Sequence, residues 1–195
     1  IEPNATKKPG SAGKAGLNQE IRVIAIGSTN PNETVDPEIE GQIIASLDGD
    51  ESFTGYWKRP DADEKAMNSG WYFTGDIGYR DADGDLFVTG RVDDMIISGG
   101  ENILPAEIES VLSLNEAVGE VAVVGIPHER LGQEVTAFIS RRGAVDGASL
   151  DAWCLERGLT PYKRPRAYIF VKEIPKSPVG KILRRMLVAG EYQPE

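Results

Sequence analysis

The chain has 195 residues, 40% of them hydrophobic, and a formal net charge of −10. That length suits one large or two small domains, no apolar run nears the roughly 18 residues of a membrane span, and the acidic balance argues against nonspecific nucleic-acid binding. One cysteine, Cys154, excludes an intrachain disulfide, and with a single histidine it cannot build a usual zinc site, so no bound metal is expected and a reducing, cytoplasmic setting is.

The first residue is Ile1, and Ile1–Gly16 is polar, rich in Lys, Gly and Pro, and lacks a basic-then-apolar signal pattern. The stretch reads as the middle of a longer protein. Ile21–Ile26 and Gln42–Leu47 are then expected as short strands because both are rich in β-branched residues. Ser28–Glu40 between them is a polar loop with Asn30-Pro31 and Asp36-Pro37 as turn signals. Asp61–Met67 suits a short helix. Trp71–Thr74 and Leu86–Thr89 flank Asp81–Gly84, whose Asp-Gly ending favours a tight hairpin turn.

Beyond Gly90–Asp94 the pattern changes. Pro105 can open a helix, since its missing donor would be unpaired there anyway, and Ile108, Val111 and Leu112 recur at helical spacing with Glu107 and Glu109 expected outside. Val118–Ile126, Gln133–Ser140 and Ala167–Glu173 read as strands. Leu150–Arg157 reads as a helix, and Lys181–Val188 as a terminal helix with Arg184 and Arg185 on its outer face. Three strands and three helices in about 100 residues make an α+β domain. The charge shifts too: residues 141–195 hold 11 Lys+Arg against 6 Asp+Glu, a local net of +5. A basic end on an acidic protein is either a solvated surface or a landing site for a small polyanion.

Four stretches stand in order: Gly70–Gly78 (GWYFTGDIG), Gly90–Asn102 (GRVDDMIISGGEN), Pro105–Glu109 (PAEIE) and Pro175–Lys181 (PKSPVGK). Each alone is weak, since a TGD tripeptide is usually a turn, a Gly-Gly pair is usually a loop, and one more lysine in a basic tail is unremarkable. Together, at these separations, they closely resemble the C-terminal third of the adenylate-forming superfamily, which includes acyl-CoA synthetases, aryl-CoA ligases, luciferases and peptide-synthetase adenylation domains. The resemblance extends from Lys8-Pro9-Gly10 to Leu183-Arg184-Arg185.

That resemblance implies an architecture and a set of roles. Residues 1–91 would be the β-rich, distorted β-barrel end of a large adenylation domain, and residues 92–195 a mobile C-terminal α+β lid built on a three-stranded sheet. Asp76 would bind the ribose hydroxyls of ATP and the acyl-adenylate, and Arg91 would contact the nucleotide. Asp93 would be the hinge. Gly99 and Gly100 would border the pantetheine tunnel, while Tyr162, Arg164 and Arg166 would take the CoA nucleotide. Arg130-Leu131-Gly132 is another loop near that site, although Leu131 stands where some relatives carry a stacking tryptophan. Lys181 would bridge the carboxylate substrate and the α-phosphate during adenylation. The substrates implied are a small carboxylic acid, ATP with Mg2+, and coenzyme A.

The sequence lacks the Ser/Thr/Gly-rich phosphate loop and the aromatic-Gly-x-Thr-Glu motif that such enzymes carry earlier. The acyl pocket is expected in an N-terminal domain outside these residues, so the acid could be aromatic or a fatty acid. A peptide-synthetase adenylation domain acting on a carrier protein, or a non-catalytic binding module of the same fold, are the alternatives.

Overall fold

The computed structural model describes residues 8–50, 52 and 54–195. The first seven residues of the polar stretch read above lie outside the described residues, as do 51 and 53. The chain divides into two compact units, the first ending at Asp93 and the second running from Asp94 to Glu195.

The first unit is a six-stranded antiparallel sheet. Its elements are β1 (Ser11–Gly13), β2 (Ile21–Ile24), β3 (Gly41–Ser46), α1 (Pro60–Ala66), β4 (Met67–Asn68), β5 (Trp71–Arg80) and β6 (Leu86–Arg91). The order is β1-β6-β5-β3-β2, with β4 on β5, so the sheet stays open among the described residues and does not close into a barrel. Ile24 and Ile44 are fully buried, with Trp71 and Phe73 against them. The Asp81–Asp85 turn joins β5 to β6 as its sequence suggests: the Asp81 carboxylate accepts from the amides of Asp83 and Asp85. Lys8 pairs with Asp81 and Asp83, which ties the start of the described chain to that turn.

The second unit contains β7 (Ile96–Ser98), β8 (Glu101–Ile103), α2 (Pro105–Ser113), β9 (Val118–His128), β10 (Gly132–Arg141), α3 (Gly147–Glu156), β11 (Ala167–Phe170) and α4 (Arg184–Val188). The three strands read from sequence are the centre of the sheet. β10 pairs antiparallel with β9 and parallel with β11, and a further hairpin, β7–β8, joins at the Gly132↔Ser98 pair. Side chains alternate across a strand, and here both faces are covered. Val123, Val135, Ala137 and Ile139 face a core with Ile108, Leu112, Leu150 and Cys154 of α2 and α3. Ala122, Val124 and Phe138 face the other way, against Val171, Ile174 and Leu187 of the C-terminal segment. Two-sided burial is why these strands read as nearly unbroken apolar runs.

The helices follow local rules. Pro105 is the first residue of α2. Asp146 caps α3, accepting from the Ser149 amide at 2.8 Å, and so starts it three residues before the expected Leu150. The Trp153 indole donates to the Val111 carbonyl at 2.9 Å and links the two helices.

Three expectations need correction. The terminal helix begins at Arg184, not Lys181, because the preceding backbone is already committed: the Ser177 amide donates to the Lys181 carbonyl and the Leu183 amide to the Pro175 carbonyl. Arg184 is not on the outer face, since its side chain is only 21% exposed and points at Glu109. Glu109 in turn is not exposed but is turned toward β9, where it accepts from the Val123 amide at 2.8 Å. Glu107 and Arg185 do face solvent. No helix among the described residues is long and apolar enough to cross a membrane.

Candidate active site

The first unit places Asp76 and Arg91 directly opposite one another on β5 and β6. The Arg91 Nη1 donates to Asp76 Oδ1 at 2.7 Å, with both side chains partly exposed. The pair is built by its neighbours. The Thr74 hydroxyl donates to the Ile43 carbonyl and accepts from the Asp76 amide, which fixes the backbone that presents the carboxylate. Gly75 holds φ at +77°, and a Cβ there would lie 2.9 Å from Arg91 Nη2.

Gly75→Ala is therefore expected to strain the turn and push the guanidinium away from Asp76. The left-handed backbone alone costs about 1–2 kcal/mol for a residue with a Cβ. Thermal unfolding of the purified chain should show a lower midpoint; an unchanged midpoint would mean the strand tolerates the side chain there.

Sequence reading missed Tyr72 and Tyr56 beside this pair. Their hydroxyls are 2.9 Å apart, and that hydrogen bond, then burial, and then the nearby Tyr56 and Asp76 charges push Tyr72 up to about 12. It stays a neutral phenol near neutral pH. The partner lies sixteen residues away, so no local pattern reveals it. Asp93, exposed, is the last residue of the first unit.

In the second unit, Gly99 and Gly100 form the two-residue turn of the β7–β8 hairpin, with φ of +62° and +90°. Positive φ at both positions is what a tight hairpin of this twist requires. The turn is tied to the β9–β10 turn. The Gly99 amide donates to the Leu131 carbonyl at 2.9 Å, and the amides of Arg130 and Leu131 donate to His128 Nδ1.

The Tyr162–Arg166 stretch is less available than its composition suggests. Arg164 Nη1 is paired with Asp151 on α3 at 2.7 Å, and its Nε is buried without a hydrogen bond among the described residues. Lys163 is paired with Glu107 on α2. Tyr162 and Arg166 are exposed. The Arg166 amide donates to the Val135 carbonyl, so the stretch sits near the start of β10, toward the Gly99-Gly100 turn.

Lys181 is exposed at the end of a tight loop. The Gly180 amide donates to the Ser177 carbonyl at 2.8 Å, Ser177 Oγ accepts from the Lys181 amide at 3.1 Å, and a bridge pairs Lys176 with Ile182. Ser177 thus pins the Lys181 backbone from both sides while leaving the ammonium without an ion pair among the described residues. Lys176 anchors the loop to Glu120 near the start of β9.

The structure therefore does not gather every candidate in the second unit. The Lys181 loop is anchored at Glu120, whereas the Gly99-Gly100 turn packs beyond His128. Eight residues of strand separate those anchors, roughly 26 Å at 3.3 Å per residue. Tyr162, Arg164 and Arg166 fall toward the Gly99-Gly100 end. One unit presents two chemically different ends.

Residues 107–181 match the AMP-binding enzyme C-terminal domain family. The chain is 42% identical over 188 residues to a long-chain-fatty-acid–CoA ligase of Bacillus subtilis, covering 95% of this chain and 32% of that protein. It is 44% identical over 182 residues to a 2-succinylbenzoate–CoA ligase of Geobacillus kaustophilus, covering 92% and 36% respectively. Among solved structures, it resembles o-succinylbenzoate CoA synthetase of Bacillus subtilis in complex with its acyl-adenylate intermediate, with a TM-score of 0.80 at 36% identity over 91% of this chain and 35% of that one. ATP-bound MatB of Rhodopseudomonas palustris gives a TM-score of 0.84 at 29% identity, over 96% and 37%. The chain spans about a third of the length of these curated relatives.

Proposed function

This chain belongs to the adenylate-forming superfamily, in the C-terminal part of its acyl-CoA and aryl-CoA ligases, and we propose that it supplies one wall of the nucleotide site and the alternating lid of an AMP-forming acid–thiol ligase. The observation that carries this reading is the separation, on one small unit, of the Lys181 loop from the Gly99-Gly100 turn. A single rigid face could not serve two successive steps as readily as a body that turns one end and then the other toward a fixed site.

In the first step a carboxylate oxygen attacks the α-phosphorus of ATP, the bond to pyrophosphate breaks, and an acyl-adenylate remains. Lys181 would stabilise the charge that builds on the α-phosphate and the incoming carboxylate. Asp76 keeps acceptor capacity on Oδ2 for ribose hydroxyls, because Arg91 takes only Oδ1. Arg91, held there, would contact the nucleotide. Mg2+ usually keeps several waters and is bound together with substrate phosphates, so it would accompany the ATP phosphates.

In the second step the unit that starts at Asp94 would turn about Asp93, withdraw Lys181, and present the Gly99-Gly100 turn. The CoA sulfur then attacks the acyl carbonyl and AMP leaves. Gly99 and Gly100, lacking Cβ atoms, would let the pantetheine arm pass close to backbone. Arg166 and Tyr162 are the readiest contacts for the CoA nucleotide. Arg164 could serve only by exchanging its Asp151 partner for a phosphate. Dependence on Mg-ATP and CoA supports a cytoplasmic setting for the reaction.

The test is an assay of AMP, pyrophosphate and thioester with the complete ligase, a panel of aromatic and fatty acids, and either CoA or an acyl-carrier protein as acceptor. Thioester on CoA is expected. Transfer only to the carrier protein would favour the peptide-synthetase reading, and no pyrophosphate from any acid would favour the binding-module reading. The 195 residues alone are expected to release none.

A further inference from the structure

We infer that Arg184, gripped by Glu109, is a positioning residue for Lys181: the largely shielded Glu109–Arg184 pair fixes the loop that carries the lysine without itself touching substrate. The inference rests on the adenylation role proposed for Lys181, but its physical core, the anchoring of the loop, stands apart from that role.

Arg184 follows Lys181 by three residues. Its Nη2 lies 2.7 and 2.9 Å from the two oxygens of Glu109 in α2, seventy-five residues earlier. Glu109 Oε1 also accepts from the Val123 amide of β9. The carboxylate thus joins α2, the central sheet and the chain just beyond the loop at one point. Both side chains are mostly out of solvent, 17% exposed for Glu109 and 21% for Arg184. Arg184 Nε is buried without a hydrogen bond among the described residues, 3.9 Å from the Asp94 carboxylate. The guanidinium is therefore faced by two carboxylates and tethered on one side.

The other end of the loop is held differently. Lys176 pairs with Glu120, but these side chains are 37% and 47% exposed. An exposed pair of this kind contributes little. The Glu109–Arg184 pair is more shielded: removing one partner leaves the other charge poorly solvated, so its geometry is more strongly held. Burial raises the Glu109 carboxyl above the usual carboxylate range, more than Arg184 and the Val123 amide pull it down. Between the two anchors, Ser177 closes the loop by hydrogen bonds to the Lys181 backbone, so fixing Arg184 fixes the exit of the turn that aims the ammonium.

Arg184→Lys and Arg184→Gln, with Glu109→Gln and Lys176→Ala, separate this from a merely structural role. In the 195-residue chain, amide hydrogen exchange at Gly180 and Lys181 is expected to speed up in Arg184→Gln and Glu109→Gln, less in Arg184→Lys, and little in Lys176→Ala. In the complete ligase, the first two should lower kcat for pyrophosphate release by about tenfold or more, the scale that a small misplacement of a catalytic group produces. KM for ATP and thioester formation from supplied acyl-adenylate should stay near wild type. Unchanged exchange at Gly180 and Lys181 would overturn the inference, as would an equal fall in both half-reactions. Faster exchange with unchanged pyrophosphate release would overturn the link to catalysis. If Lys181→Ala were also silent in that assay, the failure would belong to the adenylation role and the anchoring would stand.

Discussion

Lys181→Ala in the complete ligase should cut pyrophosphate release from Mg-ATP and acid by about 10²–10³-fold, the usual loss when one preorganised charged donor is removed. The same variant, given acyl-adenylate and CoA, should form thioester at nearly the wild-type rate. The asymmetry follows from charge. Adenylation brings two anions together, and an ammonium between them offsets a repulsion that grows as the transition state forms. Thioester formation has no such meeting of anions at the α-phosphate. Lys181 is suited to the first task because its backbone is pinned by Ser177 while its side chain has no competing carboxylate among the described residues. Arg164, by contrast, already has Asp151 at 2.7 Å, so composition alone overstates its readiness. Lys181→Arg should recover only part of the lost rate, because a planar fork cannot take the place of a compact point charge. Equal loss of both half-reactions, or loss of neither, would exclude the separation of roles between the two ends of the unit.

Much of the fold was legible because it rests on short-range rules. Pro105 marks the start of α2, the Asp81–Gly84 turn marks the β5–β6 hairpin, and the apolar runs of β9 and β10 mark the buried sheet. The family motifs pointed to Asp76 and Lys181, the residues proposed here for the nucleotide and the adenylation step, because each sits within a few positions of the glycines and prolines that shape its loop. What escaped was contact between distant segments. Glu109 and Arg184 look like two ordinary solvent-facing charges on amphipathic helices, and only folding reveals that they face each other. Tyr56 and Tyr72 meet in the same hidden way. The β7–β8 hairpin was missed because its strands are three residues each, too short to show alternation, and are held by one pair to Gly132. The start of the last helix was misplaced because helical spacing cannot register that Lys181 and Leu183 have already given their backbone groups to the loop.

Phe138→Ala is the substitution expected to cost most stability. Phe138 is 1% exposed on β10, on the face opposite α2 and α3, packed against Val171, Ile174 and Leu187. Tyr192 meets it edge-on, with ring centroids 5.0 Å apart and planes at 68°. Truncating a buried phenylalanine costs about 3–5 kcal/mol through lost transfer energy and the cavity left behind, and the edge contact contributes within that range. For a unit of about 100 residues, each kcal/mol lowers the midpoint by roughly 4–8 °C, so thermal unfolding should show a drop on the order of 15 °C or more. Leu155→Ala, at a position 58% exposed, is the control and should shift it little. The consequence reaches function because the residues that cover Phe138 belong to the same C-terminal segment as Lys181. Ile174 precedes the loop and Leu187 follows it, so a cavity beneath both loosens the loop from below even where the Glu109–Arg184 pair survives. Adenylation should therefore lose rate at temperatures well below the new midpoint, before thioester formation does. A midpoint within a few degrees of wild type would mean that the second face of the sheet repacks freely and gives the loop no support.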